Sequence, residues 1–291
     1  MMRYKWYVPY LFIFLALIGL FVFRLGPIVL ALIMGFTDWS PFGSPEWVGI
    51  ENYIDLFTSP TFWTIFKNTI IFSAVFVPTI VVFSLLLAVL LNKGLKGTTI
   101  FRVMFFAPVI TSTVAIGIVW QWIFSTDIGF INFTLRTLGI DDPPSWLSDG
   151  RYSLFVVAFV YAWKRVGYYM IIYLAGLQDI PRNLIEAARV DGATKFTEFK
   201  YITLPLITPT MFFVLIMSTI DSFKSFEIVY TMTKGGPGVA STTLSYYVYQ
   251  NAFELFQMGT ASSIAMVLLA IVATITYINF KYKSKWVQYR Y

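Results

Sequence analysis

The chain has 291 residues, of which 58% are hydrophobic, 19% aromatic and only 12% charged, with a mean hydropathy of +0.72. A soluble domain carries about a quarter of its residues as charges, so this is the composition of an integral membrane protein, and the net charge of +6 is better explained by distribution across a bilayer than by nucleic acid. With no Cys and no His, thiolate and imidazole metal sites, Cys nucleophiles, His-based triads and disulfides are excluded, and no GxxxxGK[ST] phosphate-binding loop occurs.

The N-terminal MMRYKWY carries Arg3 and Lys5 ahead of an apolar run from Val8 to Phe23. No small-x-small cleavage site follows, and hydrophobicity resumes from Leu25 to Phe36, so the spacing predicts one long first span kinked near Pro27 rather than a removed signal peptide. Three uncharged runs, Thr69–Leu91, Val103–Phe124 and Gly259–Phe280, meet the requirement of ~20 residues for crossing a bilayer. Two more spans carry charges. One runs from about Tyr152 to Leu177 with Lys164 and Arg165 inside it, the other from about Pro205 to Thr231 with Asp221, Lys224 and Glu227. The expected organisation is a tail and first span over 1–36, and a five-span core over 37–291 (about 69–91, 103–124, 152–177, 205–231 and 259–280) interrupted by a polar segment over 178–205. Six spans make an all-α membrane protein with both termini on one side.

Lysine and arginine set the orientation. Thirteen gather in the N-terminal tail (Arg3, Lys5), the Asn92–Arg102 loop (Lys93, Lys96, Arg102), the polar segment (Arg182, Arg189, Lys195, Lys200) and the C-terminal tail (Lys281, Lys283, Lys285, Arg290). The intervening loops carry few, among them Arg136, Arg151 and Lys234, and hold most of the acids, including Glu46, Glu51, Asp55, Asp141, Asp142 and Asp149. The positive-inside rule then places both ends and the polar segment in the cytoplasm. Trp120, Gln121 and Trp122 read as interface-belt residues.

The polar segment carries helical signals. Pro181 and Arg182 suit a first turn, Leu184, Ile185, Ala187, Ala188 and Val190 continue it, and Asp191-Gly192 stops it, since Gly tolerates the left-handed conformation of helix ends. Thr194 is the expected N-cap of a second short helix running to Ile202 before Pro205 opens the next apolar run. Periodicity alone fits either a helix lying on the membrane surface or a bearing surface for a partner.

The spacing separates those two. Glu186-Ala187-Ala188, three residues, Gly192, nine residues, then Ile202-Thr203-Leu204-Pro205 resembles the signature loop of the membrane subunits of binding-protein-dependent ABC importers. GFTDW, GIENY, YLAGLQDIP, MTKGGP and TLSYYVYQNAFELFQMGTASS extend the resemblance along nearly the whole chain, toward the carbohydrate-uptake branch and its first-permease type, found in maltose, glycerol-phosphate and oligosaccharide importers. The resemblance implies the type I importer permease fold in a prokaryotic plasma (inner) membrane. It also implies a second permease, two ATPase subunits that use ATP and Mg, an external solute-binding protein, a sugar substrate, and no cofactor on this chain. Coupling to the ATPase would then fall to Glu186, Ala187, Ala188, Gly192, Ile202, Leu204 and Pro205.

Ionisable groups at mid-bilayer cost about 2.5–3.5 kcal/mol each, so they face the protein interior. Tyr161, Lys164, Arg165 and Tyr168 fall at i, i+3, i+4 and i+7, and Ser218, Asp221, Ser222 and Ser225 repeat that spacing. The two stripes predict a shared polar cavity, with Phe223, Phe226 and Tyr230 as further walls; a staple between Lys164 or Arg165 and Asp221 or Glu227 is equally compatible. Arg165 departs from the aromatic more common in relatives and points toward an acidic sugar or phosphorylated polyol. Asp221 and Glu227 also suit an ion-coupled carrier, but the inverted repeats or broken helices of most such carriers are not visible in the sequence. No external acid pair has convincing spacing for a hydrolase.

Overall fold

The computed structural model describes residue 5 and residues 7–92 and 97–288; Arg3, Lys93, Lys96 and Arg290 of the charge argument lie outside them. The described elements run α1 (Val8–Leu20), α2 (Gly26–Met34), β1 (Thr37–Asp38), β2 (Glu46–Trp47), α3 (Glu51–Thr58), α4 (Pro60–Leu91), α5 (Thr98–Ile110), α6 (Thr113–Ile123), α7 (Phe130–Thr137) and α8 (Ser153–Gln178). They continue with α9 (Arg182–Val190), α10 (Lys195–Glu198), α11 (Leu204–Leu206), α12 (Thr208–Phe223), α13 (Phe226–Met232), α14 (Leu244–Tyr249) and α15 (Met258–Tyr282). Four helical stretches are long and apolar enough to cross a membrane, or up to six if two sharply bent pairs each count as one span.

The contacts divide the chain into Met1–Pro60 with Tyr247–Leu269, and Thr61–Tyr246 with Ala270–Tyr291. In the first unit, α1 and α2 are joined by a π turn at Phe21–Leu25, in which the Gly26 N–H reaches back to the Phe21 carbonyl. Pro27 lacks the N–H that would bond Phe23, and the wider turn just before it relieves the clash of its ring with the preceding backbone. The segment after α2 is tied to the start of α15: the Asn52 side chain donates to the Gly35 and Thr37 carbonyls (3.0 and 2.9 Å), and the Gly259 N–H to the Trp39 carbonyl (3.2 Å). The Phe36 ring stacks on Trp47 and tilts against Tyr53.

In the second unit α8 is the central helix, with more than half of its residues buried. Between membrane helices the association comes from close packing and not from expulsion of water. Gly167 shows how close: a Cβ there would collide with the backbone carbonyl of Phe105 on α5, 2.6 Å from its carbon. On α4, the Asn68 amide donates to the Val239 carbonyl (2.8 Å), and Thr69 Oγ1 accepts from the Leu244 N–H (2.9 Å), fastening the loop before α14. The C-terminal segment folds back on α12, where Val287 is buried against Phe212 and Ile216 and the Gln288 N–H donates to Thr208 Oγ1 (2.9 Å).

Two uniform apolar runs break in ways that composition does not announce. The Val103–Phe124 run is bent by 100° between α5 and α6, at extended Thr111 and Ser112, where the sequence predicts one straight span. The other bend, of 64°, lies at buried Ile207, between the helical segment Lys195–Leu206 and α12. Helix continues through Pro205, so the run that follows starts at Thr208 and not at Pro205 itself. Pro205 lacks the N–H that would bond Tyr201, and a π turn at Phe199–Thr203 precedes it, as one precedes Pro27.

Candidate functional site

Two concavities stand out among the described residues of the second unit. The first, about 790 Å³, lies along α9 and α10, lined by Glu186, Arg182, Arg189, Lys195 and Glu198 over an apolar floor that includes Leu177 and Ile180. Its shape follows from local rules. Pro181 precedes α9 in extended conformation, and Gly192 adopts a φ of +82° just past its end. The Ala193 N–H then bonds the Ala188 carbonyl (2.9 Å), closing the helix in the manner of a left-handed cap. Thr194 caps α10 by accepting from the Thr197 N–H. Arg189 and Glu198 lock the two helices together through a two-pronged ion pair, Nε to Oε2 at 3.0 Å and Nη2 to Oε1 at 3.3 Å, which raises the Arg189 pKa further above its already high value. Glu186 and Ala187 are exposed, and so are the apolar side chains Leu184, Val190 (87% exposed), Phe196 (73%) and Tyr201. Ile202, Leu204 and Pro205 are half-buried in the stretch leading to the Ile207 bend.

The second, about 290 Å³, is lined by Thr113, Tyr161, Lys164, Arg165, Asp221, Lys224 and Glu227. Arg165 Nη2 pairs with Asp221 Oδ2 at 3.0 Å, and the same oxygen accepts from the Tyr169 hydroxyl at 2.8 Å. The guanidinium also lies over the Tyr161 ring, 5.7 Å from its centroid. The staple expected from the sequence is therefore Arg165 to Asp221. Lys164 takes no part in it: buried on α8, its ammonium donates to the carbonyls of Pro108, Val109 and Thr111 at 3.2, 3.3 and 2.9 Å.

Of the predicted stripes, Tyr161, Lys164, Arg165 and Asp221 meet at this cavity and the rest do not. Tyr168 packs edge-on against Tyr169 outside the lining. Ser218 donates to the Leu215 carbonyl, and Ser222 donates to the Thr219 carbonyl while its oxygen pairs with the Ser73 hydroxyl. Ser225 Oγ is buried without a hydrogen-bond partner among the described residues. Ser218 and Ser222 lie within α12 and turn to carbonyls of their own helix, whereas Ser225 falls past its end at Phe223, where the assumed continuous period fails. Of the expected aromatic walls, Phe223 is buried, while Phe226 and Tyr230 stack on each other at 5.6 Å. Tyr169 and Thr113 were missed. The i+4 series from Tyr161 through Arg165 includes Tyr169, so that spacing held a signal, whereas Thr113 reaches the cavity only because of the 100° bend.

A helical membrane subunit with a helix–turn–helix set between two helices and a charged cavity along those same helices is the architecture of an importer permease. Residues 80–282 match the family described as binding-protein-dependent transport system inner membrane component, and the chain belongs to that family. It is similar to the probable ABC transporter permease protein YesP of Bacillus subtilis (strain 168), with 40% identity covering 96% of this chain and 91% of that protein. It is also similar to the lactose transport system permease protein LacF of Rhizobium radiobacter, at 34% identity over 93% and 92% of the two chains. In fold it matches a chain of a bacterial alginate ABC transporter, solved in complex with an alginate pentasaccharide-bound periplasmic protein. That match has a TM-score of 0.84 at 21% identity, over 96% of this chain and 94% of the other, and the fold is that of the type I ABC permeases.

Proposed function

We propose that this chain is one of two permease subunits of an ATP-driven, solute-binding-protein-dependent importer of a sugar or oligosaccharide. In this reading both termini and the α9–α10 pair face the cytoplasm, and ATP and Mg are used by separate ATPase subunits. The reading is carried by one observation: the α9–α10 pair is rigidly built yet presents Ala187, Leu184, Val190 and Phe196 to the outside. An exposed apolar face on a stiff polar hairpin is a docking surface, and small residues let a partner helix approach closely. Glu186 offers that partner a charge, and the Ile202–Leu206 stretch transmits its movement to the Ile207 bend, where α12 begins. Closure of the ATPases on ATP would then alternate the access of the cavity. A sugar is favoured by the lactose transport role of LacF and by the aromatic and polar lining around Arg165.

Glu186→Lys and Gly192→Pro test this: both are expected to leave the chain in the membrane, to weaken ATPase association and to reduce uptake by at least tenfold. Normal association and uptake in either variant would remove the coupling role. Uptake by the unaltered transporter should also survive collapse of the ion gradients by ionophores, whereas its loss there would favour an ion-coupled carrier.

The cavity supports a narrower proposal for the cargo. With Arg165 and Asp221 cancelling each other, Lys164, Lys224 and Glu227 leave one excess positive charge among the lining residues. An acidic sugar or phosphorylated polyol complements that balance better than a cation.

A further inference from the structure

We propose that Lys164 is a positioning residue that holds the third hydrophobic run in its broken form, by capping α5, and so fixes the wall of the Arg165–Asp221 cavity. The inference rests on the geometry of α5, α6 and α8 and holds for any solute. It therefore goes beyond the transport reading.

The last four carbonyls of an α-helix have no partner within it. A carbonyl that faces lipid finds no water, so a helix that ends within the membrane needs donors from elsewhere in the protein. For α5 these carbonyls belong to Ala107, Pro108, Val109 and Ile110, and the Thr111 carbonyl is released as well, since the chain is extended there. Thr111 Oγ1 donates to Ala107 (3.0 Å), and Lys164 donates to Pro108, Val109 and Thr111. An ammonium has three donors and no acceptor, so these three carbonyls use all of them. Lys164 is thus a buried cation satisfied by backbone dipoles at a helix C-terminus, the end that favours positive charge. Beside it, Gly167 lets α8 approach α5 closely enough for the side chain to reach. Two residues past the extended Thr111, Thr113 opens α6 and joins the cavity lining with Lys164 itself.

Without the ammonium the same apolar run has an alternative. A straight helix would satisfy the carbonyls from Ala107 to Thr111 within itself, leaving only that of Met104 opposite Pro108, which lacks an N–H in either form. Val103–Phe124 is also long enough to cross the ~30 Å hydrocarbon core unbroken. Lys164 therefore decides between a bent and a straight segment.

The absence of cysteine allows a clean distance measurement. Spin labels at Ile100→Cys and Trp122→Cys, both exposed positions, are placed on the full chain in lipid nanodiscs. Along a straight helix they would lie ~33 Å apart; two arms meeting at the 100° bend bring them to ~20 Å. The unaltered chain and Lys164→Arg, which keeps its donors, are expected to give the short distance. Lys164→Met, which keeps the stem and loses the donors, is expected to shift the distribution toward the long one. A short, unbroadened distance in Lys164→Met would overturn the proposal. Should that variant fail to accumulate, Lys164→Gln decides in its place: with only two donors it should show both distances, and a single short one would overturn the proposal equally.

Discussion

The Arg165–Asp221 pair makes an asymmetric prediction about stability. Two charges ~4 Å apart attract by ~4 kcal/mol at the effective dielectric typical of protein sites. Here the Arg165 side chain keeps 28% of its exposure and Asp221 only 14%, so water screens the arginine more than the carboxylate. Removing the arginine with Arg165→Met leaves a carboxylate in the drier environment, held by the Tyr169 hydroxyl alone, and should cost ~3 kcal/mol. Asp221→Asn leaves a guanidinium that water and the Tyr161 face still reach, and keeps an acceptor for Tyr169, so about 1 kcal/mol is expected. The double variant should lose ~2 kcal/mol, less than the sum, giving a coupling of ~2 kcal/mol. Unfolding of the purified chain in mixed detergent micelles measures all four corners of this cycle. A coupling below ~0.5 kcal/mol, or an Asp221→Asn loss equal to or above that of Arg165→Met, would refute the reasoning.

Gly167→Ala places a methyl against the Phe105 backbone, which cannot rotate away as a side chain would; a loss of ~2–3 kcal/mol is expected, and a melting temperature like that of the unaltered protein would contradict the close α5–α8 approach. Arg165→Trp removes the guanidinium from the cavity and should lower uptake of an acidic sugar or sugar phosphate at least tenfold more than that of a neutral one. Competition assays with both classes check this, and an unchanged preference would sink the acidic-cargo proposal.

What was legible in the sequence was what neighbours along the chain decide. The stop at Gly192 and the cap at Thr194 each depend on residues within one helical turn and are found in the structure, while α9 starts at Arg182 with Pro181 extended before it and not in its first turn. In the third run Pro108 was a local sign of weakness that the sequence reading did not use, and it gave neither the place nor the size of the break, which depend on the Lys164 ammonium more than fifty residues away. The same holds for the cavity. Periodicity put Lys164 and Arg165 within equal reach of Asp221, and only the placement of α5 against α8 shows that one of the two cations is already engaged. The serine stripe failed locally: Ser218 and Ser222 satisfy their hydroxyls on carbonyls of α12 itself, and Ser225 lies beyond the helix end at Phe223.

Lys164 and Arg165 are adjacent on α8, and successive residues of a helix point about 100° apart. One grips the end of α5, the other the Asp221 carboxylate of α12. Thirteen residues further on, α8 ends at Gln178, four residues before α9 begins; α12 begins two residues after α11 ends. A load applied to the α9–α10 hairpin thus reaches the two grips by separate routes, through the length of α8 and through the Ile207 bend. If α8 and α12 move as one, the ion pair persists and the change must fall on α5 and its bend; if they shear, the Arg165–Asp221 distance changes first. The cavity is bounded by both grips, so neither movement leaves its lining unchanged. Packed elements tolerate few intermediate arrangements. Consecutive cations with separate partners therefore give this helix two defined ways to respond to a single push.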